Sequence, residues 1–288
     1  MRSLLFVPAD SPRKLEKSLT SGADAVILDL EDAVAPEQKQ GARANAVAFL
    51  NEVAHTPDRP RLFVRVNGLG SGLTDADLDA TIAAKPDAVV LPKAEGGASI
   101  VHLDAKLTAR EALHGLPESS IGIFAFAIES AGALFAAGSY AGASRRLCGL
   151  TWGSEDLSFE FGAETSRAPE GFLDPYRLAR TLCLTAATAA RVLAIDTVYP
   201  DFRDEQGLRR EAQEAAQLGF AGKLAIHPAQ IPIIDEAFMP TEKQLAWART
   251  VAAAFAAAPD KGAVAVDGMM YDRPHLLRAQ RILARQKD

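Results

Sequence analysis

The sequence predicts an α/β chain folded as a TIM (β/α)₈ barrel with a C-terminal helical lid or arm. Three observations predict it: short apolar runs alternate with helix-like stretches, eight such runs can be traced, and run after run ends in residues able to do chemistry. Ala25–Leu28 leads into Asp29-Leu30-Glu31-Asp32, and Leu62–Val64 into Arg65-Val66-Asn67. Ala88–Leu91 leads into Pro92-Lys93, and Ile121–Ile128 into Glu129. Leu147–Trp152 leads into Gly153-Ser154-Glu155-Asp156, and Leu224–Ile226 into His227-Pro228. A closed barrel of parallel strands gathers all its C-terminal strand ends on one face, so this distribution is the one an enzyme on that fold requires.

In chain order, Leu4–Val7 reads as the first strand. Pro12–Thr20 is its helix, with Ser11 as N-cap, Pro12 at the first helical position and Gly22 just beyond the end. Ala25–Leu30 is the second strand, and Pro36 opens a helix to Val53. Leu62–Val66 and the helix Asp75–Ala84 follow, then Ala88–Leu91 with a helix over Ser99–Leu113. The fifth strand is Ile121–Ala127, followed by a helix over Ser130–Ala137, and the sixth strand is Leu147–Thr151. The stretch from Ser154 to Pro175 reads as a long active-site loop, and Tyr176–Leu193 as an Ala-rich helix. Ala194–Val198 is the seventh strand, Glu205–Leu218 a helix closed by Gly219, Lys223–Ile226 the eighth strand, and Gln230–Ala237 a last short helix. Strict alternation of this kind indicates parallel β/α architecture. The barrel domain is expected to span 1–240. Residues 241–288 follow as a helix over Glu242–Ala257 with Thr241 as N-cap, a segment Ala263–Tyr271, and a final helix Pro274–Gln286; this tail reads as a lid or an arm exchanged with a neighbouring subunit.

The chain has 288 residues, a formal charge of −6, and 48% hydrophobic residues, enough for a large core. No run is dense in Lys or Arg, which argues against a nucleic-acid partner. No apolar run approaches the ~20 residues of a membrane span, and the N-terminus lacks the pattern of a secretory leader. Cys148 and Cys183 both sit in apolar surroundings and read as core residues without a disulfide, which fits the cytoplasm.

Glu129 and Asp156 follow neighbouring strands, so a barrel brings their carboxylates to one point. Two carboxylates with room for water and substrate oxygens make a Mg²⁺ site; the plainer reading is a helix cap at Glu129 and a helix start at Asp156. Asp29, Glu31 and Asp32 repel one another unless a cation compensates, and Arg43 on the next helix is a candidate counter-charge. Arg65 is suited to two-point capture of a carboxylate, either of substrate or of this acidic cluster. Lys93 can act as an electrostatic group or, less favourably, as a Schiff-base lysine. His227 reads as either a base or a structural imidazole. Arg13 and Lys14 beside a helix start suit phosphate groups, or are simply exposed. No Ser/His/Asp triad, phosphate loop or dinucleotide fingerprint is present.

Taken together these residues resemble the citrate lyase β-subunit family of the HpcH/HpaI aldolase superfamily, which includes malyl-CoA and citramalyl-CoA lyases. The strings that carry the likeness are Arg2–Pro8, Asp29–Val34, Arg65-Val66-Asn67, Leu91-Pro92-Lys93, Ile128-Glu129-Ser130, Gly153–Leu157, Ala225–Pro228 and Asp267–Pro274. The resemblance implies Mg²⁺ on Glu129 and Asp156, and substrate contacts from Arg65 and Glu129. It places CoA phosphates near Arg13 and Lys14, and an acid/base Asp272 on a lid that serves a neighbouring subunit, with Asp267 as the competing position. Glu31 and Asp32, with Asp29, would orient Arg65 and metal-bound water. The implied reaction is Mg²⁺-dependent cleavage or formation of a 3-hydroxy-3-carboxyacyl thioester, such as citramalyl-CoA, malyl-CoA or citryl-CoA, giving an acyl-CoA and a 2-oxo acid. The alternatives are an aldolase for free hydroxy-oxo acids, a subunit acting on a citryl thioester of an acyl carrier protein, and a non-catalytic thioester-binding subunit of a larger complex. The implied assembly is a homotrimer or a hexamer.

Overall fold

A computed structural model describes residues 1–286 as two compact units, Met1–Ala237 and a second unit that begins at Phe238. The first is the expected barrel. Its strands are β1 (Ser3–Pro8), β2 (Ala25–Asp29), β3 (Arg61–Arg65), β4 (Ala88–Leu91), β5 (Gly122–Ile128), β6 (Leu147–Trp152), β9 (Leu193–Asp196) and β10 (Gly222–Ala225). They close in the order β1-β10-β9-β6-β5-β4-β3-β2, every pair parallel. β2 and β4 are buried at every position, as strands covered on both faces must be, and so their sequences run apolar without alternation. The barrel interior is filled by side chains that include Leu4, Ile27, Phe63, Val90, Phe124 and Leu224, a packed core rather than a pore.

The intervening helices are α1 (Pro12–Ser18), α2 (Lys39–Val53), α3 (Thr74–Thr81), α4 (Gly97–Leu113) and α5 (Ala131–Ala136). Beyond β6 come α6 (Ser154–Phe161), α7 (Asp174–Ala190), α8 (Glu205–Leu218) and α9 (Ile231–Phe238). The end of α8 is set by Gly219 at φ 114°, a left-handed position that glycine adopts without steric cost. Ser11 precedes α1 as expected but its side chain makes no capping bond.

One expectation is overturned. The stretch Ser154–Pro175 is not a plain loop: it forms α6, then a small antiparallel ladder of β7 (Arg167–Ala168) and β8 (Gly171–Phe172), and the first residues of α7. Leu157 and Phe172 are buried together with the polar Ser154, Ser158 and Ser166, so the inward positions carry no apolar period.

The second unit contains α10 (Glu242–Ala256), a hairpin of β11 (Ala263–Val266) and β12 (Met269–Asp272), and α11 (Arg273–Ala284). Thr241 caps α10 by accepting from the Gln244 N–H while Gln244 returns the bond. The hairpin turns on Asp267-Gly268, both at positive φ, the pairing that two-residue hairpins favour. The unit has its own core of Ala248, Val251, Phe255, Val264, Tyr271 and Ala279.

Candidate active site

The strand register assembles the site. Asp29 and Arg65 are paired across β2 and β3, so a carboxylate and a guanidinium emerge side by side at the same height. Arg65 donates from Nε to Asp29 Oδ1 at 2.7 Å and from an Nη to Asp29 Oδ2 at 2.6 Å, a two-point fork. Its other Nη lies 3.1 Å from Glu31 Oε2, and its guanidinium carbon sits 4.6 Å from the centre of the Phe6 ring, a cation–π contact. Burial works against the charge of Arg65, but Asp29 and Glu31 outweigh it and hold the group cationic. A structural ion pair to the acidic cluster is therefore present.

On the neighbouring strands, Ile128 is paired with Trp152, so Glu129 and Gly153 follow side by side. Helix α5 is capped by Ser130, which accepts from the Ala133 N–H, and Glu129 is free of that task. Its Oε2 instead accepts from the backbone N–H of Lys93 at 2.5 Å, a residue at φ 53°. A Cβ at Gly153 would stand 2.8 Å from Glu129 Cγ and Oε1, so only glycine lets the Glu129 carboxylate occupy its place. Asp156 rises from the first turn of α6, and its plainer helix-start reading holds too.

Both carboxylates, with Asp29 and Arg65, line one cavity of about 260 Å³, walled by Phe6, Phe126, Thr197, Val198 and Ile226. Burial first, then the charge of Asp156, pushes the Glu129 carboxyl up to about 8. Burial also raises Asp156, against the pull of Lys93. A buried acid and a half-buried one that resist ionisation together form a site a divalent cation would relieve. Among the described residues no group of three or more His, Cys, Asp or Glu side chains is gathered to hold a metal. A carboxylate pair with positions left for water and substrate suits Mg²⁺ rather than a closed protein cage.

Lys93 Nζ lies 2.7 Å from Glu31 Oε1, 3.1 Å from Asp32 and 3.9 Å from Asp156. Hydrogen bonds to Glu31 and Asp32 overcome the effect of burial and raise its pKa, so it stays an ammonium and is unsuited to a Schiff base. Arg43 does not serve the acidic cluster; it pairs with Asp77 at 2.7 Å. The cation that sequence reasoning missed is Lys39, which donates to the carbonyls of Leu30 and Glu31 and to Asn67 Oδ1. Asn67 is anchored in turn by Asp77. Phe6 was also missed, although its parity with Leu4 and Pro8 along β1 points it into the barrel mouth.

His227 caps the turn after β10 through Nδ1 and stacks on Phe202 at 4.6 Å, a structural role. Arg13 and Lys14 are exposed on α1 and are not among the residues lining the cavity. Asp272 lies at the start of α11 with His275 Nδ1 2.5 Å from its Oδ1, and Asp267 is exposed at the hairpin turn.

Residues 2–228 match the family described as HpcH/HpaI aldolase/citrate lyase, and residues 175–287 match one described as a C–C bond lyase of the TIM-barrel fold. A citrate lyase subunit beta from Leuconostoc mesenteroides subsp. cremoris is 37% identical over 284 residues, covering 98% of this chain and 92% of that protein. A (3S)-malyl-CoA thioesterase from Cereibacter sphaeroides is 36% identical over 292 residues, covering 99% of this chain and 94% of that protein. The crystal structure of protein CitE from Mycobacterium tuberculosis with magnesium, acetoacetate and coenzyme A superposes with a TM-score of 0.80 at 37% identity, covering 99% of this chain and 97% of that one.

Proposed function

The chain belongs to the HpcH/HpaI aldolase/citrate lyase family, and from that premise we propose that it is a Mg²⁺-dependent carbon–carbon lyase. Its substrate is a 3-hydroxy-3-carboxyacyl thioester of coenzyme A, and its products are an acyl-CoA and a 2-oxo acid. The observation that carries this reading is the pair Glu129 and Asp156 lining one cavity with Arg65. A homologue crystallised with magnesium and coenzyme A supports both the ion and the thioester.

Glu129 and Asp156 would hold the Mg²⁺, which when bound supplies Lewis-acid charge to the hydroxyl and carboxylate oxygens of the hydroxy-acid end. Arg65, fixed by Asp29 and Glu31 and backed by Phe6, keeps further guanidinium donors for the oxygen on which negative charge grows as the carbon–carbon bond breaks. Because its position is set before substrate arrives, little reorganisation opposes the reaction. Glu31 and Asp32 restrain Lys93 beside Asp156, keeping positive charge at the acidic mouth for an anionic substrate. The hydroxyl gives up its proton as the carbonyl of the 2-oxo acid forms, the electron pair of the broken carbon–carbon bond passes into the thioester as an enolate, and the enolate carbon takes a proton, so the proton count is unchanged. We assign that proton transfer to Asp272 of a neighbouring subunit in a cytoplasmic homotrimer or hexamer, with Arg13 and Lys14 toward the CoA phosphates.

The relative named for thioesterase activity supplies a second reading, hydrolysis of the thioester. Product analysis separates them. Incubation of citramalyl-CoA, malyl-CoA and citryl-CoA with the protein, with Mg²⁺ or with EDTA, is expected to give acyl-CoA and a 2-oxo acid only when Mg²⁺ is present. Asp272→Ala is expected to bind the thioester yet lose cleavage. Release of free CoA and the intact hydroxy acid would favour the hydrolase, and EDTA-insensitive cleavage would contradict the metal assignment.

A further inference from the structure

The stretch between β6 and α7 carries a partly buried charge with no role in the chemistry above, Arg167 on β7. Its side chain is 16% exposed. Nε donates to Glu211 Oε2 at 2.9 Å, one Nη donates to Glu155 Oε1 at 3.0 Å, and the other donates to the Val198 carbonyl at 2.8 Å. The guanidinium is also stacked over Phe172, 4.3 Å from the ring centre. Glu155 immediately precedes Asp156, and Val198 follows the end of β9; both line the cavity. One planar fork thus ties the turn that carries Asp156, after β6, to the end of the neighbouring strand β9.

The anchor behind the fork is firm. Glu211 on α8 also accepts from Lys223 Nζ at 2.7 Å, and Lys223 is fully buried on β10. Lys223 reaches Asp196 on β9 at 3.0 Å. Arg167 is therefore the outermost link of a chain of buried ion pairs rooted in the barrel wall, and its free end holds the α6 turn.

We propose that Arg167 is a positioning residue for the metal site: it holds the Ser154–Asp156 turn so that the Asp156 carboxylate stays in register with Glu129. The inference rests on the Mg²⁺ reading above. A lysine at this place would keep the charge but lose the fork, since an ammonium cannot meet three acceptors in one plane. Partners that orient metal ligands are worth about 10- to 100-fold in metal affinity.

The test is calorimetric titration of Mg²⁺ into the substrate-free protein, together with its thermal melt in EDTA, for Arg167→Met, Arg167→Lys and Asp156→Asn. Arg167→Met is expected to weaken Mg²⁺ binding about 10-fold or more. Its melt in EDTA should move little, because Glu211 keeps Lys223 as a partner. Arg167→Lys should fall between wild type and Arg167→Met, and it carries the test alone if the methionine variant does not fold. A purely structural role would lower the melt and leave Mg²⁺ affinity intact, and that result would overturn the proposal. Wild-type Mg²⁺ affinity in both Arg167 variants, with binding lost in Asp156→Asn, would also overturn it while leaving the metal reading standing. Undiminished binding in Asp156→Asn would instead refute the metal reading itself.

Discussion

Glu129 is a buried carboxyl at the barrel mouth with a second acid beside it. Burial and the nearby Asp156 lift its carboxyl from an ordinary 4.5 to about 8, so in the metal-free protein it holds a proton at neutral pH. A pKa raised on folding contributes stability below about 4.5 that is lost as pH rises through about 8. Mg²⁺ must displace that proton, and its apparent affinity should fall about tenfold for each pH unit below about 8. Calorimetric titration at about pH 6, 7 and 9 checks this, and a flat dependence would show that Mg²⁺ displaces no proton from Glu129. The residues of this site were legible in the sequence because each stands where an apolar run ends: Glu129, Asp156, Arg65 and Asp29 all line one cavity. Lys39 was not legible, since it serves the acidic loop from the first position of a helix and no strand end marks it. Arg43 was misread for the same reason in reverse: sequence distance placed it near the acids, and the α2–α3 packing gave it to Asp77.

At the scale of elements, β9, β10 and α8 are joined by buried charges as well as by hydrocarbon. Lys223, with no solvent exposure, meets Asp196, Glu211 and the Thr197 carbonyl. Asp196 also accepts from Trp152 Nε1 and Arg180, and Lys223 and Arg180 hold its carboxyl low against the effect of burial. Removing one partner of such a network leaves a buried charge uncompensated, at a cost of about 3–5 kcal/mol. Lys223→Met should therefore lower the melting temperature by roughly 6–15 °C at neutral pH. A melt within about 2 °C of wild type would mean that the network is neutral to stability. This network lay hidden in the sequence, where Lys223 reads as an ordinary polar start to a strand. The β6–α7 segment was hidden too, because a strand pair of two residues each has no periodicity to detect. The longer elements were readable: the α8 ends fall at the Asp204 cap and at Gly219, and the β4 ends match its apolar run.

The whole molecule is a packed barrel followed by a small unit with its own hydrophobic centre. The eight-fold alternation made the barrel readable, since each apolar run supplies one strand in the closed order. The hairpin of the second unit was not legible in the sequence, which shows only a segment Ala263–Tyr271: β11 and β12 are four residues each, and only Val264 and Tyr271 in them are buried. Lyase activity of the entire protein depends on one ion shared by Glu129, just after β5, and Asp156, in the turn that follows β6. The most direct measurement is an anomalous-difference map from crystals soaked in Mn²⁺ as a stand-in for Mg²⁺. A single strong peak is expected within coordination distance of both Glu129 and Asp156. A peak at any other position, or none at saturating Mn²⁺, would contradict the shared site.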